Sequence, residues 1–405
     1  MIVFNYNDQY ISSDKQDGGT RRLALERDFP HAMLREIYEQ PEAIRRTLAL
    51  YTAQEAEGLV LNAEFFTPLA HWGNTHGEVL ITASGSSRHS GLAAEIMLED
   101  QCGLAVDVEY ASEYSLRGDF SKDLRNPSVL VLSQSGETSD TLAALREARR
   151  RGQKTLAITN VEDSTMAREA DLSMPLAAGR EKAIPATKSF TCQLTVLALL
   201  ALYEGVSLNR LDVATLAARL RELATVPDEL EVQLPGWETQ MAALAAKYRT
   251  ATTFLYLGRG IHYAIAREGA LKLKEASYIH AEGYPAGELK HGPNALVSDE
   301  VPLVILATVD LSNEGSVLRY EKTVQLLRDM KVQEAKVIAL ANTGDEEVAG
   351  LVSDCVFIRP APEHLLPLTE VVPLQLFSYF MALELGVNVD HPRNLAKAVV
   401  EHGAS

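Results

Sequence analysis

A pattern of strands and helices occurs twice along this sequence and limits the folds open to it. An apolar run that ends at Ala83 leads through a loop into a helical pattern, and a run that ends at Leu257 does the same. Gly85 and Gly258 follow these runs, and the next strands, around Val131 and Val304, keep the same spacing. Since strands that alternate with helices are typical of parallel sheets, we predict an internal duplication of one α/β domain.

The chain of 405 residues is long enough for two or three domains of ordinary size. We predict two α/β subdomains, each with a parallel sheet flanked by helices, and further helices that precede and connect them. The predicted divisions of the chain are a polar leader (1–30), N-terminal helices (31–77), a first subdomain (78–205), a helical linker (206–250), a second subdomain (251–386) and a C-terminal tail (387–405).

The charge and the cysteine content exclude several classes of protein. The net charge of −17 repels nucleic acid and anionic membranes, and no local basic patch offsets it. Cys102, Cys192 and Cys355 are far apart, which excludes a disulfide scaffold and a cysteine-based zinc site and suits a reducing cytoplasm. The longest apolar stretch, 194–203, is too short to span a bilayer, and the N-terminus has no signal core. We therefore expect a soluble cytoplasmic protein that binds neither nucleic acid nor a membrane.

A loop rich in hydroxyl groups follows one of the predicted strands of the first repeat. Ser133, Ser135 and Thr138 surround Gly136, and a helical pattern begins directly after them. The free N–H groups at the start of a helix favour an anion, and hydroxyls add hydrogen-bond donors, so a phosphate ester fits this loop. Ordinary helix capping explains the same residues about equally well. A second such loop at 84–87 lies at the same edge of the predicted sheet, which favours a ligand crevice there.

Three charged residues, Glu268, Lys272 and Glu275, share one face of a predicted helix. Residues at this spacing usually form a stripe of salt bridges on a surface, and the spacing alone favours this alternative. The other alternative is a general base with a lysine beside it. A carboxylate can carry a proton between adjacent carbons of a sugar, and a nearby lysine cation lowers its pKa.

Two histidines and a C-terminal lysine are further candidates for chemistry. His280 and Glu282 could bind a metal ion, but no third ligand lies close in the sequence, so metal use is the weaker interpretation. His291 precedes a Gly-Pro loop and is a better acid or base, although a loop histidine is often merely solvated. Lys397 lies in the tail, where a desolvated amine could form a Schiff base with a ketose carbonyl.

These residues lie in segments that resemble the sugar isomerase (SIS) family and, within it, the isomerase domains of the amidotransferases that make glucosamine 6-phosphate with glutamine. The resemblance runs from about residue 33 to residue 401. It rests on six segments in a fixed order: Glu36–Pro41, Leu132–Thr138, Glu268–Glu275, Ser277–Glu282, Gly287–Pro293 and Pro392–Lys397. The resemblance implies two flavodoxin-like subdomains with five-stranded parallel sheets and a homodimer with composite active sites. We expect neither a cofactor nor a metal.

The resemblance also implies a role for each residue of the site. Glu275 matches the base that moves a proton between C1 and C2 of the sugar, and Lys272 matches its neighbour. His291 matches a ring-opening histidine that the partner subunit supplies, and Lys397 matches the lysine that forms a Schiff base with fructose 6-phosphate. The positions implied to bind the hexose 6-phosphate are Ser86, Ser87, Ser133, Gln134, Ser135, Thr138, Ile184 and Ala396.

The sequence departs from the family at positions that bear on the reaction. Synthases of this family begin with a glutaminase domain whose N-terminal cysteine is the nucleophile, whereas Ile2 follows Met1 here and only the short leader precedes the matching region. Ser84, Ala186 and His391 replace residues that these synthases commonly have, and the segment around Ala186 is closer to that of sugar-phosphate deaminases. These differences leave the direction of the reaction and the source of ammonia open.

We expect an enzyme that interconverts glucosamine 6-phosphate with fructose 6-phosphate and ammonia without glutamine, with deamination favoured at low ammonia. One alternative is the isomerase half of a split or truncated synthase, which takes ammonia from a separate glutaminase or only isomerises fructose 6-phosphate to glucose 6-phosphate. An alternative of another class is a non-catalytic sugar-phosphate sensor, which the lack of a recognisable output domain disfavours. Deglycases of fructosamine 6-phosphates share the fold and also stay open.

Overall fold

The structure is a computed structural model of one chain that describes residues 27–55, 58–70, 72, 77–117 and 126–397. Residues 1–26 of the predicted leader and residues 398–405 of the predicted tail lie outside these ranges. The Arg27 guanidinium pairs with the Glu238 carboxylate at 2.7 Å, and Phe29 is buried. Residues 27–30, which the sequence pattern assigned to a polar leader, therefore pack with the folded domain.

A small layer of helices begins the described chain. Its elements are α1 (Ala32–Tyr38), α2 (Gln40–Tyr51), β1 (Thr52–Glu55), β2 (Gly58–Leu61) and α3 (Ala63–Phe66). Strands β1 and β2 pair antiparallel, an element that the prediction of helices for this region did not include. Pro41 lies in the first turn of α2, where its missing N–H leaves no hydrogen bond unmade.

The first subdomain is a five-stranded parallel sheet with helices packed against it. Its strands are β3 (Glu78–Ala83), β4 (Ala105–Tyr110), β5 (Ser128–Ser133), β6 (Thr155–Thr159) and β7 (Leu172–Pro175), and its helices are α4 (Gly85–Cys102), α5 (Ala111–Leu116), α6 (Ser139–Arg150) and α7 (Thr165–Glu169). The strand order is β4-β3-β5-β6-β7. Every residue of the central strand β5 is buried, which explains the continuous apolar run in the sequence.

Two long helices, α8 (Lys188–Ser207) and α9 (Val213–Tyr248), lead into a second subdomain. Its strands are β8 (Thr253–Gly258), β9 (His280–Pro285), β10 (Leu303–Ala307), β11 (Val337–Asn342) and β12 (Asp354–Ile358), and its helices are α10 (Ile261–Ser277), α11 (Glu314–Val332), α12 (Glu346–Ala349) and α13 (Leu366–Glu384). From one edge of the sheet to the other, the strand order is β9-β8-β10-β11-β12. Both sheets therefore place their five strands in the same order, and the predicted duplication of a flavodoxin-like domain is confirmed.

Two core helices are unusually apolar. α8 and α13 are long and apolar enough to cross a membrane by length and composition, but 89% of the most apolar window of each is buried inside the protein. α13 contains Pro373 in its interior. The proline removes one helical hydrogen bond, and burial of almost the whole helix compensates for the lost bond.

Acidic side chains fill the carboxyl edge of the second sheet. Asp310, which follows β10, accepts hydrogen bonds from the Ser312 hydroxyl at 2.6 Å and from the N–H groups of Ser312 and Glu363. The Glu363 carboxylate pairs with the Arg319 guanidinium through two contacts. Carboxylates of the chain itself therefore bind the hydroxyl and N–H groups of Ser312, the N–H of Glu363 and the Arg319 guanidinium at this edge.

His262, in the first turn of α10, lies between two acids. Its Nδ1 is 2.8 Å from Glu370 Oε1 on α13, and its Nε2 is 3.4 Å from Glu363 Oε1. Burial alone lowers the pKa of His262, but the charge of Glu370 and the hydrogen bonds of both carboxylates outweigh burial and raise the pKa to about 9. The side chain of His262 is therefore protonated in the folded protein at neutral pH.

We expect the free energy of unfolding to fall by about 2 kcal/mol between pH 6.5 and pH 8.5 because of His262. A histidine whose pKa folding raises stabilises fully below its ordinary pKa of 6.5 and loses this contribution as the pH rises through 9. Urea denaturation at the two pH values measures the effect. His262→Gln should lose this pH dependence, and His280→Gln, at an exposed histidine, should keep it. A wild-type free energy that is the same at both pH values contradicts the prediction.

Candidate active site

The two hydroxyl-bearing segments predicted from the sequence lie side by side at the carboxyl edge of the first sheet. Residues 85–87, which were predicted to be a loop, instead form the first turn of α4. β3 ends at Ala83 and β5 ends at Ser133, and these two strands are hydrogen-bonded neighbours. β4 continues the sheet beyond β3, and β6 continues it beyond β5, so the chain leaves the two strands in opposite directions. Such a switch point opens a crevice at the carboxyl ends of the strands, where α/β proteins bind ligands.

The loop between β5 and α6 is held in shape by its own hydroxyl groups. Ser133 Oγ accepts a hydrogen bond from the Gly136 N–H at 3.1 Å and lies 3.1 Å from Thr138 Oγ1. Ser135 Oγ accepts a bond from the Glu137 N–H at 3.2 Å. Gln134, in the same loop, is half-buried. Its carbonyl accepts a hydrogen bond from the backbone N–H of the residue that directly follows β6. These bonds preorganise the loop without occupying the N–H groups of α6.

Helix capping, the alternative explanation for these hydroxyls, is not observed. Thr138 is the N-cap residue of α6 and Ser84 is that of α4, and neither side chain bonds to the N–H groups of its helix. Ser135 and Thr138 are half-buried rather than sealed in the core. The first N–H groups of both helices therefore remain available to an anion.

Gly136 allows this loop to form. If the loop binds a sugar phosphate as the sequence predicts, we expect Gly136→Ala to weaken the binding of fructose 6-phosphate, used as a probe, about tenfold or more. Gly136 has φ of 66°, and a Cβ at this position would lie 2.1 Å from Ser164 Oγ. Gly152→Ala is the matched control, because Gly152 has φ of 74° but no atom lies within 4 Å of the added carbon. Titration calorimetry measures both dissociation constants. Equal weakening in the two variants contradicts a role for the loop.

A chain of four titratable groups crosses from α4 to α10. His89 Nδ1 on α4 lies 2.8 Å from Glu268 Oε2 on α10. The other Glu268 oxygen lies 3.5 Å from Lys272 Nζ, and this amine donates to Glu275 Oε2 at 2.5 Å. Glu268 and Lys272 are fully buried, and the Glu275 side chain is 22% exposed. The alternative of a surface stripe of salt bridges is therefore wrong for this face of the helix.

Burial and charge set the protonation of the buried members of this chain. Burial raises the pKa of Glu268, but the Lys272 ammonium and the hydrogen bond with His89 hold it below its ordinary value. Burial lowers the pKa of Lys272, but the carboxylates of Glu275 and Glu268 raise it above its ordinary value. Burial also keeps the pKa of His89 below its ordinary value. The chain therefore holds a neutral imidazole, a carboxylate and an ammonium group, with Glu275 at its accessible end.

The charged chain adjoins the first turn of α4. The Ser86 hydroxyl is one of the groups that lower the pKa of Glu268. Ser87 Oγ accepts a bond from Gln193 Nε2 at 2.8 Å, and Gln193 Oε1 accepts a bond from Ser90 Oγ at 2.9 Å. α4 therefore joins residues predicted to bind the sugar phosphate to the acid–base residues of α10.

The C-terminal tail is tied to the domain at three points. The Asp390 carboxylate accepts bonds from the first two N–H groups of α1, both at 2.8 Å. The Asp390 carbonyl accepts a bond from the Ile184 N–H at 3.3 Å. The Arg393 N–H donates to the Tyr278 hydroxyl at 2.7 Å. The course of the tail up to Lys397 is thus set by contacts with both subdomains and α1.

Lys397 ends the described part of the tail against a buried carboxylate. Its Nζ donates to Glu181 Oε2 at 2.7 Å and to the Ala183 carbonyl at 2.5 Å. Glu181 also accepts bonds from the Thr187 N–H at 3.0 Å and from the hydroxyl and N–H of Ser189 at 2.8 and 3.2 Å. The lysine predicted to form a Schiff base therefore rests in an ion pair.

His291 stands apart from this cluster. It is exposed at the end of a 3₁₀-helix, Glu288–His291. Within the described ranges, no hydrogen bond or ion pair joins it to Glu275. Ala396 is likewise exposed, next to Lys397. The roles of these two residues stay predictions.

His280 and Glu282, which the sequence analysis considered as metal ligands, lie at the surface. His280 Nε2 is 3.7 Å from Glu282 Oε1, and their side chains are 59% and 42% exposed. Across the part of the chain that the structure describes, no group of three or more His, Cys, Asp or Glu residues is arranged to hold a metal ion.

The sequence analysis did not identify three residues of the site: His89, Glu181 and Gln193. Each contacts its partner across 106 to 216 residues of sequence, so no local motif marks the contact. One signal was present, since His89 lies one helical turn after Ser86 on a helix that the sequence pattern already placed at the crevice.

Comparison with known proteins agrees with this architecture. The SIS domain family model matches residues 75–203 and 247–385, which lie in both subdomains. The chain is 41% identical over 384 residues to the isomerizing glutamine–fructose-6-phosphate aminotransferase of Chlorobaculum tepidum. This match covers 92% of the chain and 58% of that relative, so the chain spans less than two thirds of the relative's length.

Two solved structures illustrate the same fold. The C-terminal domain of glucosamine-fructose-6-phosphate aminotransferase from Francisella tularensis matches with a TM-score of 0.81 and 32% identity, over 90% of this chain and 98% of that one. Glucosamine-6-phosphate deaminase from Thermotoga maritima matches with a TM-score of 0.66 over 92% of this chain and 100% of that one. The second match, at 22% identity, is a likeness of fold alone.

Proposed function

Because this chain belongs to the SIS domain family, we propose that it interconverts glucosamine 6-phosphate with fructose 6-phosphate and ammonia. The observation that carries the proposal is the buried chain of His89, Glu268, Lys272 and Glu275 beside an uncapped, hydroxyl-rich loop. An anion anchor and a carboxylate beside a buried ammonium are what an aldose–ketose isomerisation of a sugar phosphate needs. The names of relatives that are 41% identical support the same chemistry.

In the proposed mechanism, Glu275 moves one proton between two carbons of the open-chain sugar. It removes the proton from C2 of glucosamine 6-phosphate, the electron pair forms an enolamine, and the proton returns to C1. The Lys272 ammonium, held between two carboxylates, stabilises the negative charge that develops on the C1 oxygen. One proton passes from the nitrogen to the C1 oxygen, and the resulting imine at C2 reacts with water and releases ammonia and fructose 6-phosphate.

We propose that the phosphate group orients the sugar in the site. Ser133, Gln134, Ser135 and Thr138 surround the start of α6, and Ser86 and Ser87 open α4. Two helix N-termini that point free N–H groups and hydroxyls into one crevice favour a dianionic phosphate. Because the phosphate is far from C1 and C2 in the sugar, it fixes position without taking part in the proton transfer.

Free ammonia, rather than glutamine, is the proposed nitrogen donor or product. Burial raises the pKa of Cys102 and Cys192 to about 12 and that of Cys355 to about 11. A cysteine nucleophile reacts as the thiolate, so none of the three cysteines of this chain suits the hydrolysis of glutamine. At low ammonia concentration, the deaminating direction then dominates.

The proposal includes a cytoplasmic homodimer in which His291 of one chain opens the sugar ring at the site of its partner. His291 is exposed and separate from Glu275 within its own chain, as a residue that serves a partner should be. Ile184 and Ala396, at the tail, complete the proposed sugar site. Neither nucleic acid nor a membrane is a proposed partner, since the net charge is −17.

The test is the release of ammonia and fructose 6-phosphate from glucosamine 6-phosphate by the purified chain. Equal molar amounts of both products are expected, and in reverse the chain should use ammonium but not glutamine. If the chain binds hexose phosphates without any turnover, it is a sugar-phosphate sensor and the proposal fails.

A second function is the isomerase half of a synthase that receives ammonia from a separate glutaminase. The identity of 41% to glutamine–fructose-6-phosphate aminotransferases, over 58% of the first relative's length, favours it. This function predicts that the chain alone interconverts fructose and glucose 6-phosphates, releases no ammonia, and makes glucosamine 6-phosphate from glutamine only after a glutaminase protein is added.

A further inference from the structure

Lys397 cannot act in the form in which the structure holds it. A lysine attacks a carbonyl only as a neutral amine, and the Nζ of Lys397 rests 2.7 Å from the Glu181 carboxylate. We propose that Glu181 takes the proton that Lys397 must lose before it attacks the sugar, and later gives that proton to the departing hydroxyl group. This inference rests on the proposed function and on the Schiff base between Lys397 and fructose 6-phosphate that the family resemblance implies.

The contacts of Glu181 suit it to this task. Its side chain is fully buried, whereas that of Lys397 is 27% exposed, so the lysine can leave the pair while the carboxylate stays. Thr187 and Ser189 hold both carboxylate oxygens through two N–H groups and a hydroxyl. The Glu36 carboxylate of α1 fixes the same loop by accepting bonds from two consecutive N–H groups, at residues 182 and 183. Glu181 is therefore a fixed acceptor, and Lys397 is the more exposed member of the pair.

Charges around the pair favour transfer of the proton once the sugar is present. Burial pushes the pKa of Glu181 up, but the charge of Lys397 and the hydrogen bonds from Lys397, Thr187 and Ser189 keep it below its ordinary value. When Lys397 loses its proton, that charge disappears and burial then favours the protonated acid. The other charged groups that face the pair are Glu36 on α1, Lys188 on α8 and Lys272 on α10. Lys188 is itself paired with Glu39 at 2.6 Å.

The step balances without any further reagent. Glu181 removes one proton from the Lys397 ammonium, and the freed electron pair forms a bond from Nζ to C2 of open-chain fructose 6-phosphate. A second proton passes from Nζ to the C2 oxygen and gives a carbinolamine. Glu181 returns its proton to that hydroxyl, which leaves as water while the C2–N double bond forms. The products are a protonated imine, one water molecule and the Glu181 carboxylate.

Glu275 is not available for this step. Its carboxylate is bonded to the Lys272 ammonium on α10, and among the described carboxylates Glu181 is the one that pairs with the Lys397 amine. The two proton transfers are thus assigned to two different carboxylates, Glu181 for the nitrogen and Glu275 for the carbon.

The experiment traps the imine with borohydride in the full chain and counts the fructose 6-phosphate adduct on Lys397 by mass spectrometry. At pH 7, Glu181→Gln should trap at least about 100-fold more slowly than the wild type. Its rate should rise about tenfold per pH unit up to pH 9, because hydroxide must then remove the proton, while the wild-type rate stays nearly constant. Lys182→Met is the control, since it removes an exposed charge from the same loop and should trap at the wild-type rate.

The inference is overturned by a wild-type trapping rate in Glu181→Gln at pH 7, or by a wild-type rate that itself rises tenfold per pH unit. The second needs no variant, so poor folding of Glu181→Gln does not remove the test. If the wild type forms no adduct on Lys397, the inference also fails. Failure of the proposed function has a different signature, which is normal trapping with no turnover of glucosamine 6-phosphate.

Discussion

Glu275→Gln should lower kcat for glucosamine 6-phosphate by about 10²–10⁴-fold and leave KM within a few-fold of the wild-type value. The amide keeps the size of the side chain and can still contact Lys272, but it cannot take a proton from carbon. Steady-state kinetics measure the change, and incorporation of solvent deuterium at C1 or C2 reports the proton transfer directly.

Glu321→Gln is the control for this variant, because Glu321 is an exposed glutamate on α11. It should keep the wild-type kcat. A Glu275→Gln enzyme with more than a tenth of the wild-type kcat would show that another group moves the proton, and the assignment of Glu275 would then be wrong.

Lys272→Met should lower the free energy of unfolding by about 3–5 kcal/mol and abolish turnover. Lys272 is the cation between the carboxylates of Glu268 and Glu275, at 3.5 and 2.5 Å. Methionine fills a similar volume, but Glu268 is fully buried and would lose the ammonium that offsets its burial. Urea denaturation of the wild type and the variant at pH 7.5 measures the loss.

Lys274→Met, two residues along the same helix, separates this effect from a general loss of charge. Lys274 is exposed, and its replacement should change the free energy of unfolding by less than about 1 kcal/mol. Similar urea midpoints for Lys272→Met and the wild type would contradict the view that the buried Lys272 ammonium offsets the cost of burying the neighbouring carboxylates. A shift of the midpoint toward wild type at pH 5, where Glu268 can accept a proton, would support it.

Much of the fold could be predicted from local pattern. The strand at 128–133 is buried along its whole length, so its sequence is a continuous apolar run, and the helix that follows begins where the hydroxyl-rich loop ends. The same logic placed Thr253–Gly258 and the helix after it, and the recurrence of the whole pattern then indicated the duplication. Parallel strands and their helices are each decided by residues near one another in the chain.

The charged groups of the site could not be predicted in the same way. The spacing of Glu268, Lys272 and Glu275 fits a surface stripe as well as a buried cluster, and only the packing of α4 against α10 decides between them. Glu181 meets Lys397 across 216 residues, which no periodicity records. The N-terminal strands at Thr52–Glu55 and Gly58–Leu61 are only four residues each, too short for a pattern to be distinctive.

The acids at the edge of the second sheet decide how many ligands the chain can carry. Both halves present the same switch point, so the duplication would allow two sugar phosphates for each chain. In the second half, however, the carboxylate of Asp310 already takes the hydroxyl and N–H donors of its loop, and Glu363 adds a second negative charge beside it. The Asp310 carboxylate, which already binds the donors of this loop, opposes the binding of a phosphate there. We therefore expect one hexose phosphate per chain at saturation and a binding isotherm without a second, weaker step.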